Sequence, residues 1–365
     1  MILMNDFKAE PVELKVAELA AVERVLRSGW YVLGNELQTF ENDWAKRCGV
    51  AHVIGVGNGM DAIEIGLRAL NIGLGDEVIT TPMTAFATVL AIIRAGAVPV
   101  LADIDPHTAL LDPASVKRCI SPKTKAVLLV HLYGQVCEME SWVALCQSYG
   151  IALLEDCAQA HLAQWNGKTA GSFGHFGAYS FYPTKNLGAL GDGGALICND
   201  AELAQRAAVL RNYGQSVRYH HPTLGLNSRL DELQAALLLT RLEWLEDFTE
   251  RRCQIANKYY AGIANSAVRL LSPPIQARSY VHHLFVVLSQ ERDRLANHLK
   301  NNGVQTLVHY PVPVHSQPPC KDVKRDPNGL RAAEQHADQC LSIPCHPQMS
   351  EADVAKVVGS INSFK

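Results

Sequence analysis

Short apolar runs alternate with stretches of helical spacing through most of the chain, and this alternation sets the expected architecture. Residues 53–56, 77–80, 98–102, 126–130 and 151–154 read as buried strands, with helical segments filling most of the gaps. Such βαβα alternation predicts a mainly parallel sheet covered by helices on both faces. Residues 178–181 and 195–198 would extend that sheet. Two helices are expected ahead of it. In the first, over 11–27, Val12, Val16, Leu19, Ala20 and Leu26 recur at near-helical spacing, with Pro11 suited to the first position and Gly29 to the stop. The second, over 36–47, places Leu37, Phe40 and Trp44 on one face.

Farther along, 229–245 is a strongly apolar helical pattern and 250–260 a charged one. Ser272-Pro273-Pro274 then breaks the periodicity, and a strand over 281–288 with a helix over 292–300 begins what reads as a smaller α+β unit. The expected division is a large domain over 1–250 and a small C-terminal domain over 251–365. The proline-rich stretch 310–319 reads as a loop.

Composition narrows the class. A net charge of -3, with both signs spread along 365 residues, shows no basic patch or run, so neither nucleic acid nor a membrane surface is an expected partner. No apolar stretch approaches the roughly 18 residues that span a bilayer. The 10 cysteines are scattered without a Cys-x-x-Cys pair, and the N-terminus has no basic segment leading into a long apolar one. They are read as reduced, mostly buried thiols of a cytoplasmic protein. The 14 histidines show no metal-ligand spacing, and no metal site is expected.

The chemistry concentrates in two places. Lys185 follows a strand-like run and precedes Gly188, Gly191, Gly193 and Gly194, a backbone able to bend sharply and approach another group closely. A lysine partly removed from water there has its pKa lowered and its amine freed for Schiff-base chemistry; a surface lysine beside a flexible loop is the ordinary reading. Upstream, the run over 151–154 leads into Asp156 and Gln159 at the carboxyl end of a strand, where open α/β sheets place ligands. Asp156 also suits a helix N-cap ahead of Ala158. A lysine to carry the cofactor and an acid to keep a pyridine nitrogen protonated are what pyridoxal phosphate requires. A third feature is the turn Gly57-Asn58-Gly59 between a strand and a helix starting near Met60, whose free N–H groups would suit a phosphate.

The segments GVGNGMDAIEIGLRAL, GDEVITTPMTAFATVLAI, AGAVPVLADID, TKAVLLVHLYGQ, LLEDCAQAH, YSFYPTKNLGALGDGGA, LRNYGQ and GLNSRLDELQAALL occur in this order from residue 55 to residue 238. With them the chain resembles the DegT-type sugar-nucleotide aminotransferases, pyridoxal-phosphate enzymes of fold-type I. The resemblance implies Lys185 as the lysine that carries the cofactor and moves the proton, Asp156 at the pyridine nitrogen and Gln159 at the ring hydroxyl. It implies a phosphate cup from Asn58, Gly59, Met60, Asp61 and Ser180, with Asn227 reaching the phosphate of a neighbouring subunit in a homodimer with shared active sites. Many members carry Thr where this chain has Met60, and an aromatic residue where it has Ala85; here the aromatic is Phe86, which either stacks on the cofactor or belongs to the core. The implied amino donor is L-glutamate. KNLGALGDGG with HLYGQ looks like members acting on dTDP-linked 3-keto-6-deoxyhexoses, while a 4-keto or UDP-linked sugar stays open. Tyr182, Arg229, Tyr310 and His315 are candidates for the acceptor pocket, with packing in a proline-rich loop the alternative for Tyr310 and His315. A regulator that binds the cofactor without catalysis is the remote alternative.

Overall fold

The computed structural model describes residues 1–365. The apolar runs form β1 (His52–Val56), β2 (Glu77–Thr80), β3 (Val98–Leu101), β4 (Thr124–Val130), β5 (Ala152–Asp156), β6 (Phe176–Ser180) and β7 (Gly194–Cys198). Four short strands follow: β8 (Arg269–Leu270), β9 (Phe285–Leu288), β10 (Lys324–Arg325) and β11 (Cys340–Ile343). The large sheet has eight strands in the order β1-β7-β6-β5-β4-β2-β3-β10, and β8-β9-β11 make a separate antiparallel sheet. From β6 across to β10 every pairing is parallel, whereas β7 runs antiparallel to both β1 and β6.

Successive strand residues point into different layers. Val53, Leu129, Leu153 and Ile197 join one core, while Ile54, Leu128, Leu154 and Leu196 join another across the sheet. That two-residue alternation, apolar on both sides, is why these strands read as continuous apolar runs: helices cover each face. The helices are α1 (Val12–Ser28), α2 (Asn35–Cys48), α3 (Gly59–Ala69), α4 (Phe86–Arg94), α5 (Pro113–Cys119), α6 (Met139–Tyr149), α7 (Ala201–Leu210), α8 (Glu232–Leu242), α9 (Leu245–Gly262), α10 (Arg292–Asn301), α11 (Arg331–Gln339) and α12 (Glu351–Asn362). In α2 the expected face of Leu37, Phe40 and Trp44 is buried.

The first helix behaves differently from its pattern. Gly29 ends α1 in the left-handed conformation (φ 64°), but Pro11 precedes the helix instead of opening it. Its apolar stripe of Val12, Val16, Leu19 and Leu26 points outward, each residue more than half exposed, while Leu14, Glu18, Ala21 and Val25 are buried. Ala21 and Val25 pack on Ala236 of α8, and Arg241 of α8 pairs with Glu10 (3.0 Å) and Glu18 (2.6 Å). The face chosen inward is thus the one with small residues and an ion-pair network, leaving the larger aliphatics uncovered.

A third core gathers Ile255, Tyr259, Phe285, Leu299 and Val357, together with Ile2 from the N-terminus. Helix α9 runs through residue 250 and feeds two cores, Leu245 the large one and Ile255 the small one. The chain later returns to the large body, because β10 pairs with β3 and Ala333 and Ala337 of α11 enter the main core. The stretch 310–319 is a loop with single turns at Val314–Ser316 and Pro318–Cys320. All ten cysteines are free thiols, nine of them buried. No helix is long and apolar enough to cross a membrane.

Candidate active site

The carboxyl end of β5 delivers Asp156 to the interior, 6% exposed. Its carboxylate accepts hydrogen bonds from the Thr88 hydroxyl of α4 (2.8 Å) and the Ala158 N–H (3.1 Å); Thr84 shares a further bond with Thr88 (2.8 Å). No helix begins between Asp156 and Gln164, so the expected N-cap role is not met; the Ala158 bond closes a turn, with one carboxylate oxygen facing it and the other facing Thr88. Lys185 lies close enough for mutual electrostatic influence, and burial dominates for both groups. It pulls the lysine ammonium down to about 8 against the attraction of Asp156. It pushes the Asp156 carboxyl up, although Thr88, Ala158 and the charge of Lys185 oppose it.

The lysine loop is held by its own backbone. Phe181 N–H donates to the Gly193 carbonyl (2.7 Å), Ala189 N–H to the Phe181 carbonyl (2.7 Å) and Lys185 N–H to the Tyr182 carbonyl (2.8 Å). Gly188 is required by close approach, since a Cβ there would lie 2.3 Å from the Pro183 oxygen. Around Lys185 stand three neutral histidines. Burial first and the lysine charge second draw His161 down to about 3 and His309 to about 4, and the same two causes lower His283. His161 sits among Trp44, Tyr179 and Phe181, and His283 meets Asn186 (3.2 Å).

Gln159 is oriented by its surroundings. Its Oε1 accepts the Tyr133 N–H (2.6 Å), so its amide nitrogen is the free donor, here directed to the Tyr310 hydroxyl (3.2 Å). Burial, and then the charge of Asp156, raise the Tyr310 phenol to about 12. Lys185, Asp156, Gln159 and Tyr310 thus form one group.

The N-terminus of α3 lies against the end of β6. A Cβ on Gly59 would stand 2.8 Å from the Cβ of Ser180, so only glycine permits this approach. Asn58 caps the helix by accepting the Asp61 N–H (2.8 Å), and the Asp61 carboxylate faces Asn58 (3.1 Å) and Arg94 (3.6 Å). The N–H groups of Gly59 and Met60 are the first two of the helix and lack intrahelical acceptors. These two donors with the Ser180 hydroxyl make a cradle suited to a phosphate. Asn227 is exposed beside this turn: its neighbour Ser228 accepts the Gly57 N–H (3.0 Å), while the Asn227 side chain makes no hydrogen bond within the chain.

The remaining candidates are placed less closely. Phe86 opens α4 two residues before Thr88 and packs half-buried on the main core. Tyr182 is exposed (53%). Arg229 donates to Asn212 (3.1 Å) and lies over the Tyr213 ring, and His315 is buried against Glu334 (3.0 Å); neither joins the Lys185 group by a direct bond. The sequence reading missed Thr88, Tyr133 and the trio of neutral histidines. Only the Thr84/Thr88 spacing, one helical turn, carried a signal. His131, Glu155 and Cys157 also cluster within 4.8 Å, but Glu155 is already occupied by His131 and the N–H groups of Gly171, Phe173 and Gly174.

The residues fit pyridoxal phosphate: an amine near 8, a buried carboxylate, an oriented amide donor and a helix-terminal cradle. Comparison with known proteins agrees. Residues 12–362 match the model of the DegT/DnrJ/EryC1/StrS aminotransferase family. A dTDP-3-amino-3,6-dideoxy-alpha-D-galactopyranose transaminase of Aneurinibacillus thermoaerophilus is 46% identical over 345 residues, 94% of each chain. A "pleiotropic regulatory protein" of Geobacillus stearothermophilus is 42% identical over 363 residues, 99% of this chain and 98% of its own. The crystal structure of S. venezuelae DesV in complex with a ketimine intermediate superposes with a TM-score of 0.95 at 42% identity, covering 100% of this chain and 98% of that one. On fold, site and sequence together, the chain belongs to the DegT/DnrJ/EryC1/StrS aminotransferase family.

Proposed function

We propose that this aminotransferase uses pyridoxal phosphate to move an amino group from L-glutamate to a dTDP-linked 3-keto-6-deoxyhexose, giving a 3-amino sugar. The observation that carries the chemistry is the pairing of Lys185, with its amine near 8, and Asp156 at the end of β5. The likeness to the Aneurinibacillus transaminase supports the sugar and its nucleotide.

When bound, the cofactor supplies a protonated pyridine ring that accepts the electron pair left as the donor carbon loses its proton. Lys185 Nζ would hold the cofactor and, once freed, would move a proton between the donor carbon and the cofactor carbon, and in the opposite direction for the acceptor. Asp156, desolvated and hydrogen-bonded by Thr88, holds the negative charge that keeps the ring nitrogen protonated. The Gln159 amide, its orientation set by Tyr133 N–H, would donate to the ring hydroxyl. Gly59, Met60 and Ser180 would take the phosphate. Phe86, at the start of α4 near Thr88, would be the aromatic available to the ring, and Tyr182, Arg229, Tyr310 and His315 are the residues offered for the sugar nucleotide.

The active unit in this proposal is a homodimer in the cytoplasm. Its interface is the apolar surface of α1 with Trp30, Tyr31, Tyr219 and Leu224, all more than half exposed. Backbone bridges tie Val32 to Asp231 and Asn212 to Asn227. In this reading the exposed Asn227 serves the partner's phosphate.

The test supplies purified enzyme with L-glutamate and, in separate reactions, a dTDP-linked 3-keto-6-deoxyhexose, its 4-keto isomer and a UDP-linked 3-keto sugar. Formation of the 3-amino dTDP-sugar with 2-oxoglutarate supports the reading. Amination of the 4-keto or UDP-linked sugar alone would replace the acceptor, and no amination of any would favour the regulatory reading.

A further inference from the structure

Arg252, on α9, is 5% exposed, and no carboxylate lies within ion-pair distance of it. Its Nη1 donates to the His283 and Cys345 carbonyls, leaving Nε–H and the Nη2 hydrogens without a protein acceptor. The guanidinium opens onto a narrow, partly solvent-open cleft of about 30 Å³ between α9, the N-terminal segment and the lysine loop, lined also by Asn5, Asp6, Lys185 and Gln348. Of the carboxylates in the wall, Glu10 pairs with Arg241, and Asp6, which keeps its charge while accepting the N–H groups of Lys8 and Ala9, lies beyond ion-pair distance of Arg252. The amide N–H groups of Asn5 and Gln348 have no protein acceptor either. A buried cation without a counter-charge is costly, and hydrogen bonds from a guanidinium to an anion are among the strong ones.

We propose that this cavity binds a small monovalent anion on Arg252, either a halide ion or the carboxylate of a small acid. The bound charge neutralises α9 where it meets the N-terminal segment and the loop that carries Lys185. This binding is independent of the sugar acceptor and stands whether or not the proposed transamination does.

Thermal unfolding of the purified protein with rising sodium bromide or sodium acetate tests it, ionic strength being kept constant with a bulky organic sulfonate. At about 100 times Kd, Tm should rise by roughly 2–4 °C. Crystals soaked in bromide should give an anomalous peak within hydrogen-bond reach of Arg252, and Arg252→Met should lose the Tm response. A response to acetate alone, with Arg252→Met unresponsive, identifies the carboxylate as the source. Should Arg252→Met not fold, the wild-type bromide map decides between site and no site. No Tm response to either anion overturns the proposal, and a bromide peak without one marks an adventitious ion. A peak in Asp6→Asn that wild type lacks also overturns it, because Asp6 is then the internal counter-charge.

Discussion

Lys185 and Asp156 attract each other, yet burial shifts both toward their neutral forms, so the site is dry enough for dehydration to exceed one charge-charge contact. An amine near 8 in the fold binds fewer protons than the unfolded lysine, near about 10.4, between those two values. Charging it therefore costs stability at pH 7, and the cost is relieved as pH rises from 8 toward 10. Cofactor-free Lys185→Met should be more stable than cofactor-free wild type at pH 7, with a Tm margin that narrows toward pH 10; a constant margin would refute the assignment. Asp156→Asn should lower turnover by at least ~100-fold, by analogy with other charge-stabilising groups in active sites. Thr88→Val removes one donor from the buried carboxylate and should cost about 1–2 kcal/mol in denaturant unfolding. It should also move the acid limb of the kcat/KM profile to higher pH, because the carboxyl loses a bond that lowers its pKa.

At the scale of elements, the site depends on two approaches that no side chain tolerates, at Gly188 against Pro183 and at Gly59 against Ser180. Gly59→Ala puts a Cβ 2.8 Å from Ser180, so α3 must retreat from β6. The expected result is cofactor affinity weakened by ~10-fold or more and stability lowered by about 1–3 kcal/mol, read by equilibrium dialysis and thermal unfolding. A second device ties α2 to α8: Glu232 accepts the N–H groups of Gly34 (2.8 Å), Glu36 (2.9 Å) and Leu37 (3.1 Å), capping a helix nearly 200 positions earlier in sequence. The strands, α2 and the Lys185, Asp156 and Gln159 positions could be read from sequence because each depends on local periodicity or a local motif. Glu232 and Tyr133 could not, since their partners are set by tertiary approach. The β10 strand escaped notice because two charged residues at a sheet edge carry no apolar signal. Phe86 illustrates the limit of motif transfer: the fold places it at the start of α4, and its contact with a ring awaits the bound cofactor.

For the molecule as a whole, the uncovered stripe of α1 is the informative departure from the sequence pattern. Large exposed apolar patches commonly mark interaction surfaces, and the proposed dimer uses this one. A Val16→Glu/Leu19→Glu variant should weaken self-association by ~10-fold or more in sedimentation equilibrium and lose cofactor with it. Retention of both dimer and cofactor would remove the shared-site proposal. The central claim, that Lys185 is the residue through which this fold carries out amino transfer, is tested most directly by reducing the cofactor-loaded protein with borohydride and mapping the modified peptide by mass spectrometry. The account predicts the cofactor's mass on Lys185 alone, lost when L-glutamate is added before the reductant. Labelling of another lysine, or persistence of the label after glutamate, would contradict it.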